Sequence, residues 1–159
     1  MRLEADKDFF VCDYCRNIYF PEKNDDGVRV LGEPCGYSCP VCAVPMLHAA
    51  VDDQRVFYCG RCRGMMIPMG VFPALVEDLR ARVRTHPGGP ALALQRPDPQ
   101  GLQRGLQCAL CHRPMDTHFY AGPGNVIIDS CSTCYVNWLD YGELMRIARA
   151  PDRVYDEAP

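Results

Sequence analysis

Ten of the eleven cysteines in this 159-residue chain fall in CxxC pairs: Cys12/Cys15, Cys39/Cys42, Cys59/Cys62, Cys108/Cys111 and Cys131/Cys134. A CxxC turn aims two sulfurs at one point, and two such turns complete a tetrahedron around Zn²⁺ with Zn–S bonds of about 2.3 Å. Disulfide chemistry would need an oxidising compartment. The N-terminus MRLEADKDFFVCDYC has no basic stretch followed by an apolar core, so nothing resembles a signal peptide, and a cytoplasmic chain with reduced thiols is expected. A thioredoxin-type redox pair needs one CxxC at a helix N-terminus inside a βαβ unit, a pattern this sequence lacks. Zinc is therefore the expected ion. Iron in a rubredoxin-like tetrathiolate is the alternative that the ligand set alone does not separate.

The pairs combine into sets. Cys39, Cys42, Cys59 and Cys62 have sixteen residues between their pairs, and Cys108, Cys111, Cys131 and Cys134 have nineteen. Both spacings suit a ribbon hairpin. The N-terminal count is ambiguous, because Cys12 and Cys15 are followed after nineteen residues by Cys35 and then by Cys39. One assignment gives a third site to Cys12, Cys15, Cys35 and a non-cysteine ligand such as His48. The other gives it Cys12, Cys15, Cys35 and Cys39, and leaves Cys42, His48, Cys59 and Cys62 to the first set. A free buried thiol at Cys35 and an ordinary polar contact at His48 are the plainer readings. His112 and His118 read as surface groups or neighbours of the ligands, and His86 lies in the linker.

The elements that must position these cysteines repeat. An offset of 72 places Cys59 on Cys131, Cys62 on Cys134, Met66 on Trp138, Ile67 on Leu139, Gly70 on Gly142 and Phe72 on Leu144. An offset of 69 lays CPVCAVPM (39–46) over CALCHRPM (108–115). One module is thus used twice, with three extra residues in the second hairpin. VFYC (56–59) and NVIIDSC (125–131) read as strands, with GPGN as a turn between strands. VFPALVEDLRARV (71–83) and YGELMRIARA (141–150) carry apolar residues at helical spacing. Asp140 is the natural N-cap of the second helix, with Glu143 completing a capping box. In the N-terminal part, KNDDG reads as a turn and GVRVLGEP as a returning strand. The expected organisation is an N-terminal knuckle segment (1–38), a ribbon with helix (39–84), a Pro/Gly-rich linker (85–105) packed in part through Leu92 and Leu94, a second ribbon with helix (106–150) and a tail (151–159). The fold class is small metal-stapled α+β, two tandem zinc ribbons plus an N-terminal knuckle, in which metal binding supplies most of the folding free energy.

Composition excludes several functions. No apolar run reaches the roughly 18 residues of a membrane helix, so no membrane partner is expected. Asp25/Asp26 and Asp52/Asp53 read as solvated turns rather than acid–base pairs. Gly88 and Gly89 lack the strand, helix and lysine of a phosphate loop. No catalytic set emerges, and a non-enzymatic protein with a protein partner is expected. Residues 1–54, 55–113 and 114–159 carry net charges of −5, +6 and −4. The basic centre leaves nucleic-acid binding through Arg61, Arg63, Arg80, Arg82 and Arg84 as the alternative.

Residues 108–148 resemble the prokaryotic transcription factor zinc-finger, or TFIIB-like zinc-ribbon, family, whose pattern is similar to CPxCG, a hairpin, then CxxCxGxWLDxGEL. CALC (108–111), CSTC (131–134) and WLDYGEL (138–144) carry the likeness. Residues 39–79 look like a worn copy, in which MIPMGVF stands for WLDxGEL, Pro68 for the Asp and Val71 for the Glu. The resemblance implies that the four cysteines of each copy ligate zinc. It does not imply DNA or polymerase binding.

Overall fold

Short runs of β-branched and aromatic residues become strands here, and those of the larger sheet's centre do so with an apolar face to cover. The computed structural model describes residues 2–4, 9–19, 21–86, 99–122 and 124–151. Most of the expected linker and tail therefore lies outside the described residues, Leu92 and Leu94 included. At the N-terminus, β1 (Arg2–Glu4), β2 (Phe9–Val11) and β3 (Ile18–Tyr19) make a small antiparallel sheet of their own. All other strands join one seven-stranded antiparallel sheet: β4 (Val28–Ser38), β5 (Pro45–Val51), β6 (Gln54–Tyr58), β7 (Met65–Pro68), β8 (Asp116–Phe119), β9 (Ile127–Cys131) and β10 (Val136–Leu139). Their order across it is β4-β5-β6-β7-β10-β9-β8. With α1 (Phe72–Thr85) and α2 (Glu143–Arg149), the expected α+β class is the observed one.

Apart from β4 at one edge, that order is symmetric about the β7/β10 seam. Each half runs hairpin, third strand, helix, and the third strands pair antiparallel with Met66 directly opposite Trp138. These two residues are the ones the sequence offset of 72 superposes, so a pseudo-twofold axis passes between equivalent positions. The returning strand expected at GVRVLGEP forms as β4, but pairs with β5 and not with β2 or β3, because Val28 and Val30 add to the core beneath the helices.

Side-chain alternation divides the sheet's two faces. On one, Met65, Ile67, Val56, Ile128 and Leu139 lie with the helix residues Phe72, Leu75, Val76, Leu144 and Ile147. On the other, Met46, Met66 and Trp138 pack with the paired cysteines. Trp138 closes so tightly on the facing turn that a Cβ on Gly64 would stand 2.3 Å from its Cζ2. No side chain other than hydrogen fits there.

The two helices begin differently. Helix α1 has Pro73 in its first turn and no side-chain cap. Helix α2, only seven residues long and too short to persist alone, starts from Gly142 at φ 81°. The expected cap at Asp140 does not form. Its backbone N–H donates to Glu143 Oε2 at 2.7 Å, the returning half of the box, while its carboxylate accepts from Trp138 Nε1 and from Arg104. A nearby guanidinium and a buried indole outcompete the exposed helix N–H groups for that carboxylate. The far end of α2 is held by Arg80, which donates at 2.8 Å to the carbonyls of both Ile147 and Ala150.

Candidate metal centres

Five knuckles share one backbone design. In Cys39–Cys42 the first cysteine's N–H donates to Val44 O at 2.8 Å and its carbonyl accepts from Ala43 N at 2.9 Å. The equivalent bonds link Cys59 with Gly64 and Arg63, and Cys108 with Arg113 and His112. The residue after each second cysteine is left-handed and none is glycine: Arg16, Ala43, Arg63, His112 and Tyr135, at φ from 54° to 61°. This turn frees N–H groups for sulfur. Val41, Leu110 and Cys134 donate to Cys39, Cys108 and Cys131 at 3.4 Å.

Each β-hairpin carries one knuckle on its entering strand, and the turn into the third strand supplies the other. The sulfurs of Cys39, Cys42, Cys59 and Cys62 all lie within 4.8 Å of one another, as do those of Cys108, Cys111, Cys131 and Cys134. The Cys39–Cys62, Cys42–Cys59 and Cys111–Cys131 separations are 3.5, 3.4 and 3.6 Å. A tetrahedron with arms of about 2.3 Å has edges of about 3.8 Å. The residues present therefore fit one ion of zinc size per set, with all four positions filled by protein.

The electrostatics of the sulfurs ask for a cation. Burial drives Cys39 far up and brings Cys62 up to about 11. Cys108 is also raised by burial, and Cys134 is pushed up to about 12, first by hydrogen bonding with Cys111 and then by burial. At Cys59 and Cys131 burial works upward too, but hydrogen bonds from the amides of the following turn and from neighbouring thiols outweigh it and bring both down to about 7. Four thiolates at these distances repel one another, and a divalent ion is what lets them all lose their protons.

The remaining predicted ligands are not brought together. Cys12 and Cys15 sit on the turn between β2 and β3. Cys35 lies on β4 beside the first tetrad, with Sγ 3.9 Å from Tyr37 O. His48 lies on β5 opposite Phe57, the two rings edge to face at 5.5 Å. Among the described residues no third group of three or more potential ligands converges. Because β4 pairs with β5, Cys35 is drawn toward the first ribbon, and Cys39 stays with its repeat partners.

Of the five arginines read as a basic face, three are occupied within the chain. Arg80 holds the end of α2. Arg82 pairs with Asp52, which Lys23 also contacts. Arg63 donates to Asp26 Oδ2 at 2.7 Å and lies over the Tyr141 ring at 4.3 Å. Arg61 and Arg84 are exposed.

Asp26 is the residue that sequence reasoning missed. Read as a solvated turn, its side chain is only 8% exposed and also accepts from Tyr58 OH at 2.9 Å. Asn24 shapes the same turn by accepting from the N–H groups of Asp26 and Val28, and donates to Tyr58. No sequence signal marks this partnership, because Asp26 and Arg63 are 37 residues apart. No helix among the described residues is long and apolar enough to cross a membrane.

Residues 38–78 match the family model described as transcription factor zinc-finger. The match falls on the first ribbon, the copy whose WLDxGEL is worn. The chain is also 40% identical over 45 residues to metastasis-associated protein MTA2 of Homo sapiens and of Mus musculus. That stretch is 28% of this chain and 7% of each relative, so the chain spans a small part of the curated proteins it matches. No solved structure matches.

Proposed function

We propose that a chain whose residues 38–78 match a zinc-finger family is a zinc-stabilised, non-enzymatic protein-interaction module of the cytoplasm, built from two copies of that family's ribbon. The observation that carries this reading is the closure of both tetrads: four cysteines fill four positions, which leaves no place for a substrate or an activated water. The family match favours zinc over the iron that four sulfurs would also accept.

A protein partner is supported by what the knuckles turn outward. Val41, between Cys39 and Cys42, is 47% exposed, and Tyr135, directly after Cys134, is 70% exposed. Large apolar and aromatic side chains held on metal-stiffened turns are suited to anchoring a protein surface. The same turns offer few cations for phosphate, since Arg63 is already committed to Asp26.

A photo-cross-linking residue placed at Val41 or Tyr135 tests the reading. Protein adducts are expected from both positions in cells and not from Glu77, an exposed position on α1. Adducts no more frequent at Val41 and Tyr135 than at Glu77 would overturn the interaction role. Fewer than two metal ions per chain after anaerobic purification would overturn the zinc-ribbon premise itself.

A further inference from the structure

A fifth knuckle, Cys12–Cys15, stands on the N-terminal sheet. Cys12 N donates to Asn17 O at 3.0 Å, Arg16 N donates to Cys12 O at 2.8 Å, and Arg16 sits at φ 58°. These are the bonds and the left-handed residue of the knuckles that assemble into tetrads, reproduced in a different sheet. The tetrad cysteines alternate buried and half-buried, whereas Cys12 is half-buried and Cys15 exposed. Two sulfurs are thus presented at the surface in ligand geometry, with no further ligands converging on them among the described residues.

We propose that Cys12 and Cys15 form half of a tetrathiolate metal site completed by the same pair from a second copy of this chain, so that two chains share one ion across a twofold axis. Each tetrad within the chain is two knuckles on one ion, and a second copy offers the one component the fifth knuckle lacks. An isologous contact needs a self-complementary surface. Its charges are of both signs: the exposed Asp13, which meets Arg2 Nε at 3.8 Å across the small sheet, and the exposed Arg16 lie on the same turn, so a twofold that opposes two such turns sets acid and base of each copy against those of the other. It is also apolar enough to be covered: Tyr14 is 98% exposed, Ile18 56% and Tyr19 47%. Three short strands are marginal alone, and a shared ion with an apolar rim supplies what so small a sheet lacks.

Native mass spectrometry and light scattering on the full chain, with zinc and a phosphine reductant to exclude disulfides, test this. The expected species is a dimer with five ions, two per chain in the tetrads and one shared. The C12S/C15S double variant is expected to be a monomer that keeps two ions, with its dimer Kd raised by about a hundredfold or more. Retention of those two ions shows that the ribbons remain folded, so loss of the dimer cannot be attributed to unfolding. A wild-type monomer with two ions would overturn the proposal. A monomer with three ions that falls to two on Cys35→Ser would overturn it in favour of a site closed within one chain. A four-ion dimer, or a dimer that persists in C12S/C15S, would place the interface elsewhere. None of these outcomes depends on the partner test at Val41 and Tyr135.

Discussion

The two ribbons solve one construction problem in different ways. Both keep four cysteines, left-handed residues after the knuckles, a third strand at the seam and an apolar anchor at the start of a helix. The first then relies on mass: a fourteen-residue helix, an additional strand β4, and Asp26 gripping the knuckle through Arg63. The second relies on local polar order, since its helix has seven residues, and Glu143, Asp140, Arg104 and Trp138 interlock around its start. The ion dictates ligand positions to within tenths of an ångström, while the junction behind it only has to be filled. That is why the cysteines repeat and WLDYGEL does not.

Breaking either tetrad should have the largest effect. Structural zinc contributes on the order of 10 kcal/mol to a small domain, so Cys59→Ser and Cys131→Ser should each lose one ion by native mass spectrometry and disorder their own ribbon. Because β7 and β10 share one sheet, the intact ribbon should also melt at a lower temperature. An unchanged melt of the undamaged half would show that the ribbons are independent.

The seam gives the next largest effect. Trp138→Ala removes a fully buried side chain and should cost about 3–5 kcal/mol, whereas Met66→Ala across the axis should cost about 2–5. Denaturant unfolding of the zinc-loaded protein measures both. If Met66→Ala cost clearly more than Trp138→Ala, the weight of the seam would lie on the first ribbon instead.

The smallest effect is specific to the second ribbon. Burial holds Glu143 up at about 7, against an ordinary value of 4.5. A carboxyl raised in the folded state contributes its stability below its unfolded value and loses it as pH rises through the folded one. Glu143→Gln keeps an acceptor for Asp140 N–H but cannot ionise. Between about pH 5 and 8 the wild-type stability should therefore fall relative to the variant, by on the order of 1 kcal/mol. Parallel melting-temperature profiles over that range would count against a buried, late-titrating Glu143. The first ribbon has Val71 at the matching position and should show no such term.

Much of this was legible in the chain. The spacing of the pairs proposed both sets but left Cys39 and His48 open at the first, and the convergence of Cys39 with Cys42, Cys59 and Cys62 closed that question. Helical periodicity placed α1 and α2 to within a few residues, because burial of Phe72, Leu75 and Val76, or of Leu144 and Ile147, needs that period. Asp140 and Asp26 were misread for one reason: a carboxylate's partner is selected by proximity in space, and Arg104 and Arg63 lie 36 and 37 residues away.

The repeat itself, the second cysteine set and the helix positions follow from local spacing, so the sequence alone determined them. The tertiary structure decided what spacing cannot express: that the third strands pair across Met66 and Trp138 into one sheet, that β4 joins the first ribbon, and that Cys12 and Cys15 are left without Cys35 and His48. Strand partners are chosen by which edges and apolar faces remain uncovered once the local pieces have formed, and that competition involves the whole chain.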